Sequence, residues 1–179
     1  MKILKKILIL LAVFIVLLLV LGLFTRKSYS VEREITINKP KQEVFDFVKF
    51  IKNQNTFNKW VLLDPKMRKD YRGTDGTVGF VYAWDSDNKD VGKGEQQITK
   101  IVEGERIDFE IRFEKPFAST APAYMITESI SQNQTKVKWG FSGTMAYPMN
   151  IMLLFVNIED MLGKDLDTGL QNLKGILDK

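Results

Sequence analysis

Acidic and amide side chains concentrate in one short stretch, YAWDSDNKDVGKGEQ (Tyr82 to Gln96), where Asp85, Asp87, Asn88 and Asp90 fall within six residues and Gly92 and Gly94 follow. Oxygen donors at that density raise the question of calcium. A calcium loop of the helix-loop-helix type needs oxygen ligands at alternating positions, a glycine at the sixth and a bidentate acid at the twelfth. Counting from Asp85, the third residue is Asp87, but the fifth is Lys89, the sixth Asp90 and the twelfth Gln96. The same residue types close turns by bonding to their own backbone. Because strand-like runs flank them, they read as the polar tip of a hairpin, with a weak cation site as the alternative, and no metal is expected.

The chain contains no histidine and no cysteine. Zinc, copper and non-haem iron sites of ordinary ligand sets are thereby excluded, as are Ser-His and Cys-His nucleophiles. Carboxylate, tyrosine and lysine chemistry remains, and no cofactor is expected. Glu128 is the candidate base, since it shares strand parity with Tyr124, Ile126 and Ile130. If that face lines a cavity, desolvation raises its pKa and suits it to proton abstraction. The alternative is a bulge that turns it to solvent, or pairing with a lysine or arginine. Tyr82, Trp84, Tyr124 and Trp139 share the apolar parity of their strands. They are either core or amphipathic rings whose polar tips orient a ligand.

These residues need elements to hold them. Ile7 to Phe24 is eighteen residues without a charge, preceded by Lys2, Lys5 and Lys6 and followed by Arg26 and Lys27. As a helix it spans about 27 Å, one hydrocarbon core. Its length and the lack of an Ala-x-Ala site favour a retained anchor over a cleaved signal peptide. The flanking charges favour a cytoplasmic N-terminus and a domain on the other side. Residues 1–30 carry five basic residues and no acidic ones, leaving 21 basic against 22 acidic in 31–179. The net charge of +4 therefore belongs to the anchor, and no nucleic-acid partner is expected.

Beyond a short joint, Val31 to Ile37 alternates as a strand, and Pro40 opens a helix carrying Val44, Phe45, Val48 and Ile51. A second helical piece is expected around Asn53 to Trp60. From Met67 to Met145 about six strands follow. Asp75-Gly76 signals a hairpin before Val78 to Trp84, which aligns Val78, Phe80, Tyr82 and Trp84. Ile107, Phe109, Ile111 and Phe113 share one face, and so do Val137, Trp139, Phe141 and Met145, with Tyr124 to Ile130 between these strands. After Tyr147-Pro148 a long helix is expected to the C-terminus, with Ile151, Leu154, Phe155, Ile158, Leu162, Leu166, Leu170, Leu173 and Leu177 as its stripe. Its start is apolar all round through Met149, Met152, Leu153 and Val156. It must be covered by strands or loops, membrane or a partner, or simply be buried.

Strand, two short helices, antiparallel strands and a long last helix give an α+β chain whose twisted sheet wraps round that helix. The order and four segments resemble the START-like or SRPBCC superfamily, in particular its bacterial polyketide cyclase/dehydrase and lipid-transport group. The segments are INKPKQEVFDFVKFIKNQNTFNKW (37–60), GKGEQQITKIVEGERIDFEI (92–111), TKVKWGFSG (135–143) and MLGKDLDTGLQNLK (161–174). The resemblance covers about 31–179 and implies a helix-grip fold with an apolar cavity between sheet and last helix, used by such proteins for lipids, sterols or polyketides. Scaffold alone does not assign activity.

The leading expectation is a membrane anchor (1–30, spanning about 7–24) carrying a non-enzymatic domain (31–179) that binds a hydrophobic small molecule or lipid. The expected lining is Phe80, Tyr82, Trp84, Phe109, Ile111, Tyr124, Ile126, Glu128, Trp139, Phe141, Met152 and Phe155. The alternatives are a cyclase or dehydratase using Glu128 with Tyr82 or Tyr124, and a chaperone-like protein-binding module at the membrane.

Overall fold

The computed structural model describes residues 2–179. Helix α1 (Lys2–Phe24) is long and apolar enough to cross a membrane, and nearly all of it is uncovered by the rest of the chain. Strand β1 (Ser28–Ile37) follows after three residues. Helix α2 (Lys41–Val48), a 3₁₀ turn (Ile51–Asn53), α3 (Gln54–Phe57) and α4 (Lys59–Leu63) lead to β2 (Arg68–Arg72), β3 (Val81–Asp85), β4 (Lys93–Val102), β5 (Arg106–Lys115), β6 (Ser119–Ser131) and β7 (Gln134–Thr144). A 3₁₀ segment (Met149–Leu154) precedes the last helix, α5 (Ile158–Leu177). The seven strands form one antiparallel sheet in the order β1-β7-β6-β5-β4-β3-β2, curved around α5 as the pattern predicts. Register breaks in β4, at Lys93/Gly94 and Ile98/Lys100, add local twist.

Leu166, Leu170 and Leu173 are the buried stripe of α5, facing β1 and β7 with α3 and α4 alongside. Polar ties fix the helix in register. Arg33 on β1 meets Asp167 at 3.2 Å, and Lys59 pairs with Asp165. The Asn172 amide donates to the Phe57 carbonyl at 3.1 Å. At the C-terminal end, Asp178 accepts from the Asn38 backbone N–H at 2.7 Å and from its side chain at 2.9 Å.

The expected single helix from Tyr147 onward is two pieces. Asn157 takes a non-helical conformation and caps α5 by accepting from the Asp160 N–H at 3.1 Å, which stops apolar periodicity from running through. Leu154 and Phe155 consequently leave the stripe and are exposed. The Asp75-Gly76 pair is likewise more than a hairpin turn. The Asp75 carboxylate accepts from the Ile51 and Lys52 backbone N–H groups at 2.9 and 3.1 Å, capping the 3₁₀ turn across the fold.

The largest correction concerns β6. Its register sets Ala123 between Phe109 of β5 and Phe141 of β7, so Ala121, Ala123, Met125 and Thr127 face inward. Tyr124, Ile126 and Glu128 are on the outer face, away from any cavity. Glu128 accepts from the Lys138 ammonium at 2.7 Å, so it is a paired surface carboxylate and not a buried base. Tyr124 lies flat across Gly140, where an added Cβ would fall 2.1 Å from the ring. Its hydroxyl donates to Glu32 at 2.5 Å, and the Arg106 guanidinium stands 4.3 Å above its ring. Burial, then the bond to Glu32 and its charge, push this phenol up to about 12.

This stacking makes Gly140→Ala costly, by about 1–3 kcal/mol through overpacking against the ring. In a Tyr124→Ala background the same change should be close to neutral. Urea denaturation of the four proteins of that cycle checks this, and equal losses in both backgrounds would refute the packing account.

Candidate functional site

Six aromatic rings cross the concave face of the sheet as a ribbon. Tyr71 of β2 stacks on Tyr82 of β3 with centroids 5.3 Å apart, and Tyr82 adjoins Trp84 at 5.8 Å. Trp84 meets Phe113 of β5 edge-on at 6.1 Å, Phe113 meets Phe141 of β7 at 6.4 Å, and Phe141 stacks on Tyr29 of β1 at 6.3 Å. The two strands missing from the ribbon carry small inward residues, Gly94 on β4 and Ala121 and Ala123 on β6. At Gly94 an added Cβ would sit 2.9 Å from the Trp84 indole and 2.5 Å from the Arg112 carbonyl.

Large rings beside small residues leave space under α5 that the helix does not fill. The result is a partly open cavity of about 170 Å³ lined by residues of β3–β7, α4 and the first turns of α5. All three tryptophans of the chain, Trp60, Trp84 and Trp139, line it. Tyr82, Ile111 and Phe141 line it too, whereas Phe80 and Phe109 are buried in the core beside it. Met152 and Phe155 are exposed at the 3₁₀ segment and do not reach it. Residues beyond the expected set also contribute: Asn58, Val61, Met67, Val91, Gln96, Phe113, Ala123, Leu162 and Leu166. Phe113 shares parity with Ile111, a signal present in the sequence. Nothing in the sequence singles out Ala123 until the register is known.

The polar groups of the cavity are few. Asn58 is internally satisfied, accepting from the Trp60 N–H at 3.0 Å and donating to Gln54 at 3.2 Å. The Trp84 indole N–H donates to the Val91 carbonyl at 3.2 Å. Tyr82 differs. It is 4% exposed, and among the described residues its hydroxyl finds no hydrogen-bond partner. Burial, and secondarily the neighbouring Tyr71, push its ionisation far above the ordinary tyrosine range, so the hydroxyl stays neutral and able to donate. The one carboxylate in the lining, Asp90, is an exposed residue of the β3–β4 turn.

Several polar groups of that turn are taken up by the protein. Asp85 pairs with Arg68 at 2.9 Å, Asn88 accepts from the Asp90 N–H at 2.9 Å, and the Ser86 hydroxyl donates to Asp64 at 2.5 Å. Gly92 closes it with φ 65°, packed so tightly on the Lys115 carbonyl that a Cβ would lie 2.3 Å away. Asp85 is thus an ion-pair residue and Asn88 a turn residue.

No family model matches the sequence, and no curated protein matches it. Solved structures do resemble the fold. A protein from Nitrosospira multiformis superposes with a TM-score of 0.59 at 16% identity, over 83% of this chain and 96% of that one. Ara h 8.0201 gives 0.55 at 14% identity, over 84% and 97%. The Aha1 protein of Colwellia psychrerythraea, solved as a dimer, gives 0.54 at 13% identity, over 84% and 96%. Curved seven-stranded sheet, terminal helix and these neighbours together give the chain a helix-grip fold, preceded by an apolar helix.

Proposed function

We propose that this chain is a membrane-anchored, non-enzymatic binding protein for a small hydrophobic molecule that carries one hydrogen-bond acceptor. Helix α1 is the anchor, with the N-terminus in the cytoplasm and the domain on the other side; the domain starts at Ser28 rather than at residue 31, because Ser28–Ser30 are already paired with β7. The observation that carries the reading is the buried hydroxyl of Tyr82, which has no protein partner among the described residues and belongs to a residue lining a mainly apolar cavity whose other polar side chains include Asn58, Gln96 and Asp90. Such a group costs about 1–3 kcal/mol unless something accepts from it. A ligand carbonyl, ether or hydroxyl oxygen supplies that acceptor. The volume sets the scale, since a dry cavity of about 150 Å³ takes benzene. One substituted aromatic ring or the end of an acyl chain fits, and a whole sterol does not.

Support for a retained anchor comes from the helix end. The Asn150 amide, fully buried, donates to the Gly22 carbonyl at 2.7 Å and to the Thr25 carbonyl at 3.1 Å. A leader removed after export has no reason to be capped by the mature fold. The full-length protein should therefore resist carbonate extraction from membranes and give the intact mass by mass spectrometry. A soluble product shortened near residue 25 would refute retention.

Binding is readable in the native fluorescence, because all three indoles line the cavity. Titration with 4-bromoacetophenone should quench them saturably. Tyr82→Phe should weaken that probe about tenfold while leaving the acceptor-free 4-bromotoluene unchanged, and should stabilise the unliganded protein by about 1 kcal/mol. Linear, unsaturable quenching by both probes would end the binding reading.

Two further variants separate cavity from surface. Ala123→Leu projects into the free space, so it should abolish saturable quenching with a stability change within about 1.5 kcal/mol. Glu128→Gln should leave affinity unaltered, because Glu128 is held by Lys138 on the opposite face. A loss of binding in Glu128→Gln would revive the buried-carboxylate alternative.

A further inference from the structure

The apolar residues of the 3₁₀ segment and its exit are uncovered. Phe155 is 73% exposed, Leu154 50%, and Met149 and Met152 44% each, with Val156 beside them. Five large apolar side chains exposed within eight residues are more than a water-facing surface ordinarily keeps in one place. Asn150 and Ile151 point the other way, and both meet α1. Gly22 packs so closely on Ile151 that an added Cβ would lie 2.7 Å from its side chain, and Asn150 caps the helix as described.

This contact fixes the depth of the patch. Gly22 is two residues before the end of the uncharged run at Phe24, about 3 Å along the helix axis. Ile151 is therefore level with the last apolar turn of α1, where hydrocarbon gives way to headgroups. Apolar faces of interfacial helices insert about 5–10 Å at that boundary. Methionine, leucine and phenylalanine suit it.

The same end of the sheet carries the cavity. Register pairs Ser28 with Thr144, Phe113 with Ser119, and Trp84 with Gly94, so the anchor root, the exposed Phe117 turn and the aromatic lining are at one end of the strands. Asp90 and Val91 at the rim belong to it as well.

We propose that Met149–Val156 is a bilayer-docking segment, inserted into the leaflet from which α1 emerges, and that it holds the cavity rim at the lipid surface. The inference rests on the anchor reading, and the experiment separates the two. The chain has no cysteine, so single-cysteine variants label cleanly. The full-length protein is reconstituted in phosphatidylcholine/phosphatidylglycerol vesicles containing doxyl-phosphatidylcholine, with an environment-sensitive fluorophore at Phe14→Cys, Met152→Cys, Phe155→Cys or Ser131→Cys. Ser131, the last residue of β6, is exposed at the far end of the sheet.

The expected result is strong doxyl quenching at 14, 152 and 155, about threefold or more above that at 131, with iodide reaching only 131. If 14 is quenched while 152 and 155 are open to iodide, the docking proposal is overturned and the anchor stands. If 152 and 155 are shielded from both quenchers, protein covers the patch and docking is again overturned. If 14 itself escapes doxyl quenching, the anchor fails and the docking proposal with it.

Discussion

The concave face of the sheet has to close on one helix, and the volumes of its inward side chains determine how completely it can. Where β5 and β7 present Phe113 and Phe141, the strand between them presents Ala121 and Ala123. That alternation of ring and methyl sets both the depth of the cavity and the line of edge-on and stacked contacts that stiffens its wall. Helix α5 is seated by its buried Leu166, Leu170 and Leu173, with the Arg33–Asp167 and Lys59–Asp165 pairs beside them, and it leaves the remainder unfilled. Cavity and grip thus follow from one packing constraint, with close packing prevailing elsewhere in the core.

The outer face obeys different physics. There Glu95 bridges Arg72 and Arg112, Glu34 pairs with Lys136, and Glu32 takes up the Tyr124 hydroxyl. Partly exposed pairs of this kind contribute little each to stability. Their consistent placement opposite the aromatic ribbon gives the sheet one wet and one dry side, which is what selects strand register.

Most of the architecture was legible in the sequence because its strands have a clear period of two and α5 has a clear stripe. Strand β6 was not, since Tyr124, Ile126 and Ile130 on one parity outweigh Ala121, Ala123, Met125 and Thr127 on the other. Bulk pointed to the wrong face. The usable signal was Gly140 in β7, because a glycine opposite a tyrosine in an antiparallel pair makes room for the ring on their shared side. The region after Pro148 misled for a related reason. Apolar spacing continued through Asn150 and Asn157, while the amides of those residues were committed to helix ends, one of them 128 positions away in sequence. The site was half legible: Tyr82, Trp84, Ile111, Trp139 and Phe141 came from strand parity, whereas the small residues that create the space have no individual signature.

The joint between α1 and β1 is three residues long, Thr25 to Lys27, and Arg26 within it is clasped by Glu159 at 2.6 Å. Fully extended, three residues reach about 10 Å. For a membrane-spanning α1, that length leaves no room for the domain to swing out and meet an opposing membrane. A molecule bound as proposed would then have to arrive and depart within a single leaflet's neighbourhood, by diffusion in two dimensions. A domain tethered so tightly to a spanning helix would be a fixed station and not a ferry.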